Sequence, residues 1–168
     1  IKNSEITINE HHTNVFQVAG AKFEVDGLNL VIPMNGAEQI ISRNMGVQII
    51  INNMDIVTTS TRSTGLNLLN NSKGSEGVTI QINSGKFSGV ARMHWSSSDP
   101  SVLQVNGGTY DFNPEAFVDS TNYVVVASAE TTFTVVEPTT GFVVDESNRV
   151  IWVYDGAGML EALALVQE

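Results

Sequence analysis

Apolar residues recur at alternate positions in short bursts along the chain, separated by Asn, Ser, Thr and Gly, and four of these bursts share one pattern. They are FEVDGLNL at 23–30, IIINNMDI at 49–56, IQINSGKF at 80–87 and LQVNGGTY at 103–110. Each reads apolar, any, apolar, Asn or Asp, small, any, polar, apolar. The anchors Val25, Ile51, Ile82 and Val105 are 26, 31 and 23 residues apart. A weaker first copy begins at Ile6-Thr7-Ile8-Asn9.

The alternation at Phe23/Val25, Ile80/Ile82 and Leu103/Val105 is the period-two signature of a half-buried strand. An Asn or Asp follows at once, and its side chain can bond local backbone and tolerate left-handed φ in a tight corner. Leu30, Ile56, Phe87 and Tyr110 then return to the interior. Ile40-Ile41, Leu66 with Leu68-Leu69, and Val90 with Met93 supply further apolar groups, so the repeat predicts about three short strands per turn of a coil. Stacked coils of this kind form a right-handed parallel β-helix of about four to five rungs over residues 1–112. Asp26, Asn52, Asn83 and Asn106 are then expected to form a corner ladder, side chain bonded to side chain from rung to rung. An antiparallel sandwich, with strands at roughly 8–12-residue spacing, is the rival; the shared corner signature favours the β-helix. The stretch 58–77, rich in Thr, Ser, Asn and Gly, reads as a protruding loop.

After Tyr110 the register breaks. Residues 111–118 read as a turn and a short helical or irregular cap. Residues 123–126 and 132–136 form a hairpin, and residues 142–144 and 150–154 a second, about a Glu146-Ser147-Asn148 turn. Met159 to Val166 is a short helix or a final strand. The end of a solenoid exposes apolar side chains and unpaired edge groups, so residues 113–168 are expected to be a β-rich cap. Phe142, Trp152, Tyr154, Leu160 and Leu163 are more apolar than a cap needs and point to an oligomerisation surface.

Composition narrows the function. Charged residues are 15% of the chain, and 18 acids stand against 8 Lys and Arg, for a net charge of −10. Asn, Ser and Thr supply the polar surface instead, and eight cations under that balance exclude a basic nucleic-acid clamp. No cysteine is present, which removes disulfides, thiol catalysis and Cys-ligated zinc without deciding the compartment. No stretch has the length of a membrane span, so no membrane insertion is expected. Position 1 is Ile and no secretory signal pattern follows, so the chain reads as a fragment, a processed product or the ordered part of something longer.

The segment Val105-Asn106-Gly107-Gly108-Thr109-Tyr110, followed by Pro114, Phe117-Val118, Tyr123 and Thr132-Phe133-Thr134-Val135, resembles a recurring terminal element. It is similar to the GGT-aromatic element of pectate-lyase-like β-helices in phage fibres and spikes and in bacterial surface proteins. That resemblance implies a fibre, spike, adhesin or polysaccharide-cleaving enzyme, and fold alone does not choose among them.

Chemistry on such a fold needs paired carboxylates at a defined separation, or calcium with a basic residue. Asp26 and Asp55 fall in different columns; Asn29, Lys86 and Thr109 are the equivalents of Asp55, and Ile50, Gln81 and Gln104 those of Glu24. The only adjacent acids, Asp145-Glu146, lie at a turn outside the coil. The signatures of the enzymes, Asn-Thr-Asp, His-Gly and Arg-Ile-Lys, are absent. His11-His12 on one strand would face opposite ways and cannot share a metal there. Gly107-Gly108 lacks a phosphate-loop spacing, Gly156-Ala157-Gly158 reads as a turn, and no calcium loop occurs. No cofactor and no metal are expected. Trp95 with His94 offers a candidate sugar-stacking face. The expectation is a non-enzymatic component of a phage virion, a homotrimeric fibre, spike or capsid-decorating segment. It would contact other virion proteins and host surface polysaccharide, its acids dispersed over an outward-facing rod. The alternatives are a glycan-binding adhesin module on a bacterial cell surface and a polysaccharide depolymerase.

Overall fold

A computed structural model describes residues 1–8, 12–18, 20, 22–32, 37–43, 46–58, 66–70, 79–94, 103–129, 131–138, 142–145 and 150–153. Among them every regular element is a strand except one 3-10 turn, Glu115–Phe117, so the fold is all-β. Up to Tyr110 the chain alternates between two sheets. In order come β1 (Lys2–Thr7), β2 (His12–Val18), β3 (Lys22–Ile32), β4 (Ala37–Arg43), β5 (Gln48–Thr58) and β6 (Leu66–Asn70). Next are β7 (Thr79–Ile82), β8 (Lys86–Phe87), β9 (Val90–His94), β10 (Leu103–Val105) and β11 (Gly108–Tyr110). β2, β4, β6 and β9 form a four-stranded sheet; the others of this set belong to a larger one. Every pairing within this set is parallel.

The anchors align as strand partners. Val25 stands opposite Ile51, Ile51 opposite Ile82, and Ile82 opposite Val105. A second column runs from Ile6 through Leu30, Ile56 and Phe87 to Tyr110. Period-two alternation sends both columns inward, where the anchors and the last four members of the second column are fully buried. The small sheet contributes Ile40, Ile41, Leu68, Val90 and Met93 to the same core.

Three expectations differ from what the chain does. The weak first copy is out of register: Ile6 pairs with Leu30, and Lys2 stands opposite Asp26. The corner does not break the first strands, because β3 and β5 run eleven residues straight through it. A bulge absorbs the turn there, skipping Asn52 on one strand and Gly27 on the other. Only at 83–85 and 106–107 do separate strands appear, so residues 79–94 carry three short strands where each earlier segment carries two. Within the 58–77 stretch β6 is a strand of the small sheet, and residues 59–65 and 71–78 lie outside those described.

Beyond Tyr110 the chain leaves the alternation. Pro114 precedes the Glu115–Phe117 turn, and Phe112, Phe117, Val118 and Tyr123 pack against the core. β12 (Val124–Ala129) and β13 (Thr132–Val136) form an antiparallel hairpin, and β13 pairs antiparallel with β11, Tyr110 opposite Phe133. The hairpin thus ends the large sheet by reversing its last pairing. β14 (Phe142–Asp145) and β15 (Val150–Val153) pair antiparallel as a separate two-stranded sheet. Residues 154–168, including Tyr154, Leu160, Leu163 and Gly156–Gly158, lie outside the described residues, as do the side chains of Phe142 and Trp152.

Candidate functional site

The corner column is a file of amides. Asn83 Nδ2 donates to Asn52 Oδ1 at 2.8 Å, and Asn106 Nδ2 donates to Asn83 Oδ1 at 3.1 Å. All three are half-buried, where an unpaired amide would lose its hydration without compensation. Their backbone N–H groups continue the ladder, Asn83 to the Ile51 carbonyl at 2.7 Å and Asn106 to the Ile82 carbonyl at 2.8 Å. Ser84 Oγ donates to the Asn52 carbonyl. Asp26 is set off from this file because the bulge places it opposite Asn53; its carboxylate lies 4.0 Å from Lys2 Nζ. The bulge is a tertiary response to corner geometry, and sequence spacing alone does not show it.

Two glycines let the corner close. Gly107 is buried against the Asn83 carbonyl oxygen, with which a Cβ would collide. Gly85 has φ +142° and packs in the same way against Met54 backbone.

Outward positions of the large sheet form polar files. One runs Glu5, Asn29, Asp55, Lys86, Thr109 and Thr134, each opposite the next. Asn29 Nδ2 donates to Glu5 Oε2 at 3.2 Å, and the Thr109 and Thr134 hydroxyls are 3.4 Å apart. A second runs Glu24, Ile50, Gln81 and Gln104. Neither file puts two carboxylates on neighbouring strands. Glu5 and Asp55 flank Asn29, two strand spacings or about 9.6 Å apart along the sheet. Lys22 Nζ lies 2.8 Å from Glu24 Oε2 and, by hydrogen bond and charge, holds that carboxyl below the usual range. Among the described residues no three His, Cys, Asp or Glu side chains gather as a metal site, and no helix is long and apolar enough to cross a membrane.

Among the described residues, two of the surface depressions lie beside polar side chains of the large sheet and the cap. One of about 330 Å³ lies over the first bulge, lined by Asn3, Glu5, Gly27, Asn29, Asn53 and Asp55. The other, about 340 Å³, lies between the Glu115–Phe117 turn and the hairpin. Tyr123, Phe133, Val118 and Val125 form its apolar wall, and Asn113 and Glu115 its polar rim. Asn113 and Glu115 already satisfy one another, the Glu115 N–H donating to Asn113 Oδ1 at 2.9 Å. Sequence reading missed this groove because its walls meet only through the antiparallel return of β13. His94 ends β9 opposite Asn70, but its side chain and Trp95 lie outside the described residues. His12 opens β2 opposite Ala37, while His11 and Glu146 are likewise outside, and Asp145 ends β14.

The charge is not dispersed along the chain. Residues 1–92 hold seven Lys and Arg against seven Asp and Glu; residues 93–168 hold one cation, Arg149, against eleven acids. The whole excess therefore belongs to residues 93–168. Counting by segment instead of over the full length finds this in the sequence itself.

Comparison with known proteins returned no matching protein-family model, no matching curated protein and no matching solved structure.

Proposed function

We propose that this chain is a segment of right-handed parallel β-helix serving as a non-enzymatic structural component of a phage virion, in a fibre, a spike or a capsid decoration. The observation that carries the reading is the register. Apolar anchors 26, 31 and 23 residues apart stand opposite one another on parallel strands, beside a hydrogen-bonded amide file. Parallel pairing from Lys2 to Tyr110 supports it over an antiparallel sandwich. The antiparallel hairpin on β11 fits a cap, since it covers the last coil's edge. On this reading three copies associate through residues 113–168, with Phe142, Trp152, Tyr154, Leu160 and Leu163 in the contact, and the rod faces outward on the particle.

Sedimentation velocity and incubation with capsular polysaccharides test the reading together. It expects a trimer that survives dilution to micromolar concentration and leaves polysaccharide chains uncut. A stable monomer overturns the trimer. Polysaccharide binding that Trp95→Ala abolishes moves the assignment to a glycan-binding surface module. Release of new reducing or unsaturated ends moves it to a depolymerase.

A further inference from the structure

The amide file ends on a dipeptide with its own chemistry. Asn106 is followed by Gly107, and Asn-Gly is the pair whose backbone offers least steric resistance to attack on the side-chain amide. In that reaction the Gly107 nitrogen bonds to Asn106 Cγ and gives up its proton. The Cγ–Nδ2 bond breaks, ammonia leaves, and a five-membered succinimide remains. Water then opens the ring at either carbonyl, giving aspartate or isoaspartate. Nothing is needed beyond the chain and water.

The fold opposes each motion this requires. Asn106 Nδ2 is held by Asn83 Oδ1 at 3.1 Å, and the Asn106 N–H by the Ile82 carbonyl at 2.8 Å. Gly107 is buried against the Asn83 carbonyl, and its own carbonyl accepts from the Tyr110 hydroxyl at 2.8 Å. Swinging Cγ onto the Gly107 nitrogen breaks the last link of the file and needs backbone rotation at a residue packed against the Asn83 carbonyl. We propose that Asn106 is a self-modification site latched by the amide file: closed in the native coil, open when the last coil and its hairpin come loose. The change is one-way in structural terms. An amide that donated to Asn83 becomes a carboxylate that can only accept, so two oxygens face each other at that step and the file cannot re-form. The product adds a negative charge to the already acidic end of the chain.

The test is incubation of the whole chain in mildly alkaline buffer, native and in urea, followed by peptide mass spectrometry across Asn106. The native chain should convert about tenfold or more slowly than the denatured chain, because reaction must wait for local opening. Asn83→Ala, which removes the acceptor, should speed native conversion toward the denatured rate. Asn29→Ala, on β3 and three strands away from β11 in the large sheet, should leave it slow. Equal rates in native and denatured wild-type chain overturn the proposal, a comparison that stands even if Asn83→Ala does not fold. A folded Asn83→Ala chain that converts no faster than wild type also overturns it.

Discussion

The Phe87 ring lies flat on the Tyr110 ring, centroids 4.7 Å apart and planes inclined by 10°. The two residues are partners on the neighbouring parallel strands β8 and β11, so their Cβ atoms are held at strand spacing and the rings are driven into register. Phe112 then meets Tyr110 edge-on at 5.3 Å, extending the aromatic column toward the cap. Phe87→Ala should therefore lower stability by about 3–5 kcal/mol, the range for deleting a buried aromatic. Urea denaturation checks it, and an unchanged midpoint would mean the rings are not packed in the core.

Asn83 is the middle member of the amide file and Asn106 the last. Asn83→Ala removes both links and strands two half-buried amide groups; Asn106→Ala removes one. Losses of about 2–3 and 1 kcal/mol are expected, since an unmade bond leaves a partner desolvated. Chemical denaturation of both variants reads the difference, and equal losses would show that the file does not act as a chain.

Gly107→Ala places a methyl into the Asn83 carbonyl. Ordinary loop glycines tolerate alanine, but here the corner must open, and a loss of more than about 2 kcal/mol is expected. Hydrogen exchange should localise the damage to residues 103–110 and the hairpin.

Burial raises the Tyr110 hydroxyl well above the ordinary tyrosine value. The folded pKa exceeds the unfolded one, so the stabilisation is whole below about pH 10 and falls as pH rises beyond it. Tyrosinate absorbance should show one of the three tyrosines ionising only with unfolding, and Tyr110→Phe should remove that alkaline limb. Asp119 has the opposite sign. The Thr121 N–H and then the Asn122 side chain hold its carboxyl below the usual range, so its contribution is present above the ordinary aspartate pKa and lost as pH falls through the lowered value. A carboxyl NMR titration of Asp119 that follows the unfolded value would remove this contribution.

The inward columns were legible because a strand's period of two leaves little choice: Val25, Ile51, Ile82 and Val105 must face one side together. The hairpin over 124–136 was legible for the same reason. The corner at Asp26 was not, since a bulge shifts partners by one residue without changing composition, and Asp26 meets Asn53 instead of Asn52. The groove beside Tyr123 and Phe133 was hidden more deeply. Its walls come from a turn and a hairpin whose placement depends on strand direction, which a pattern of apolar positions does not encode.

Along the sequence, residues 1–92 are balanced in charge and residues 93–168 carry the whole net −10. If three copies associate in parallel as proposed, three such C-terminal segments come together, each carrying the full −10. Counter-ions would have to condense there for the bundle to hold, so assembly should tighten as salt rises over the range where the Debye length shrinks to about 8 Å. In the proposed trimer, ionic strength becomes a control on bundling, and a basic partner would find its counterpart in residues 93–168 and not in residues 1–92.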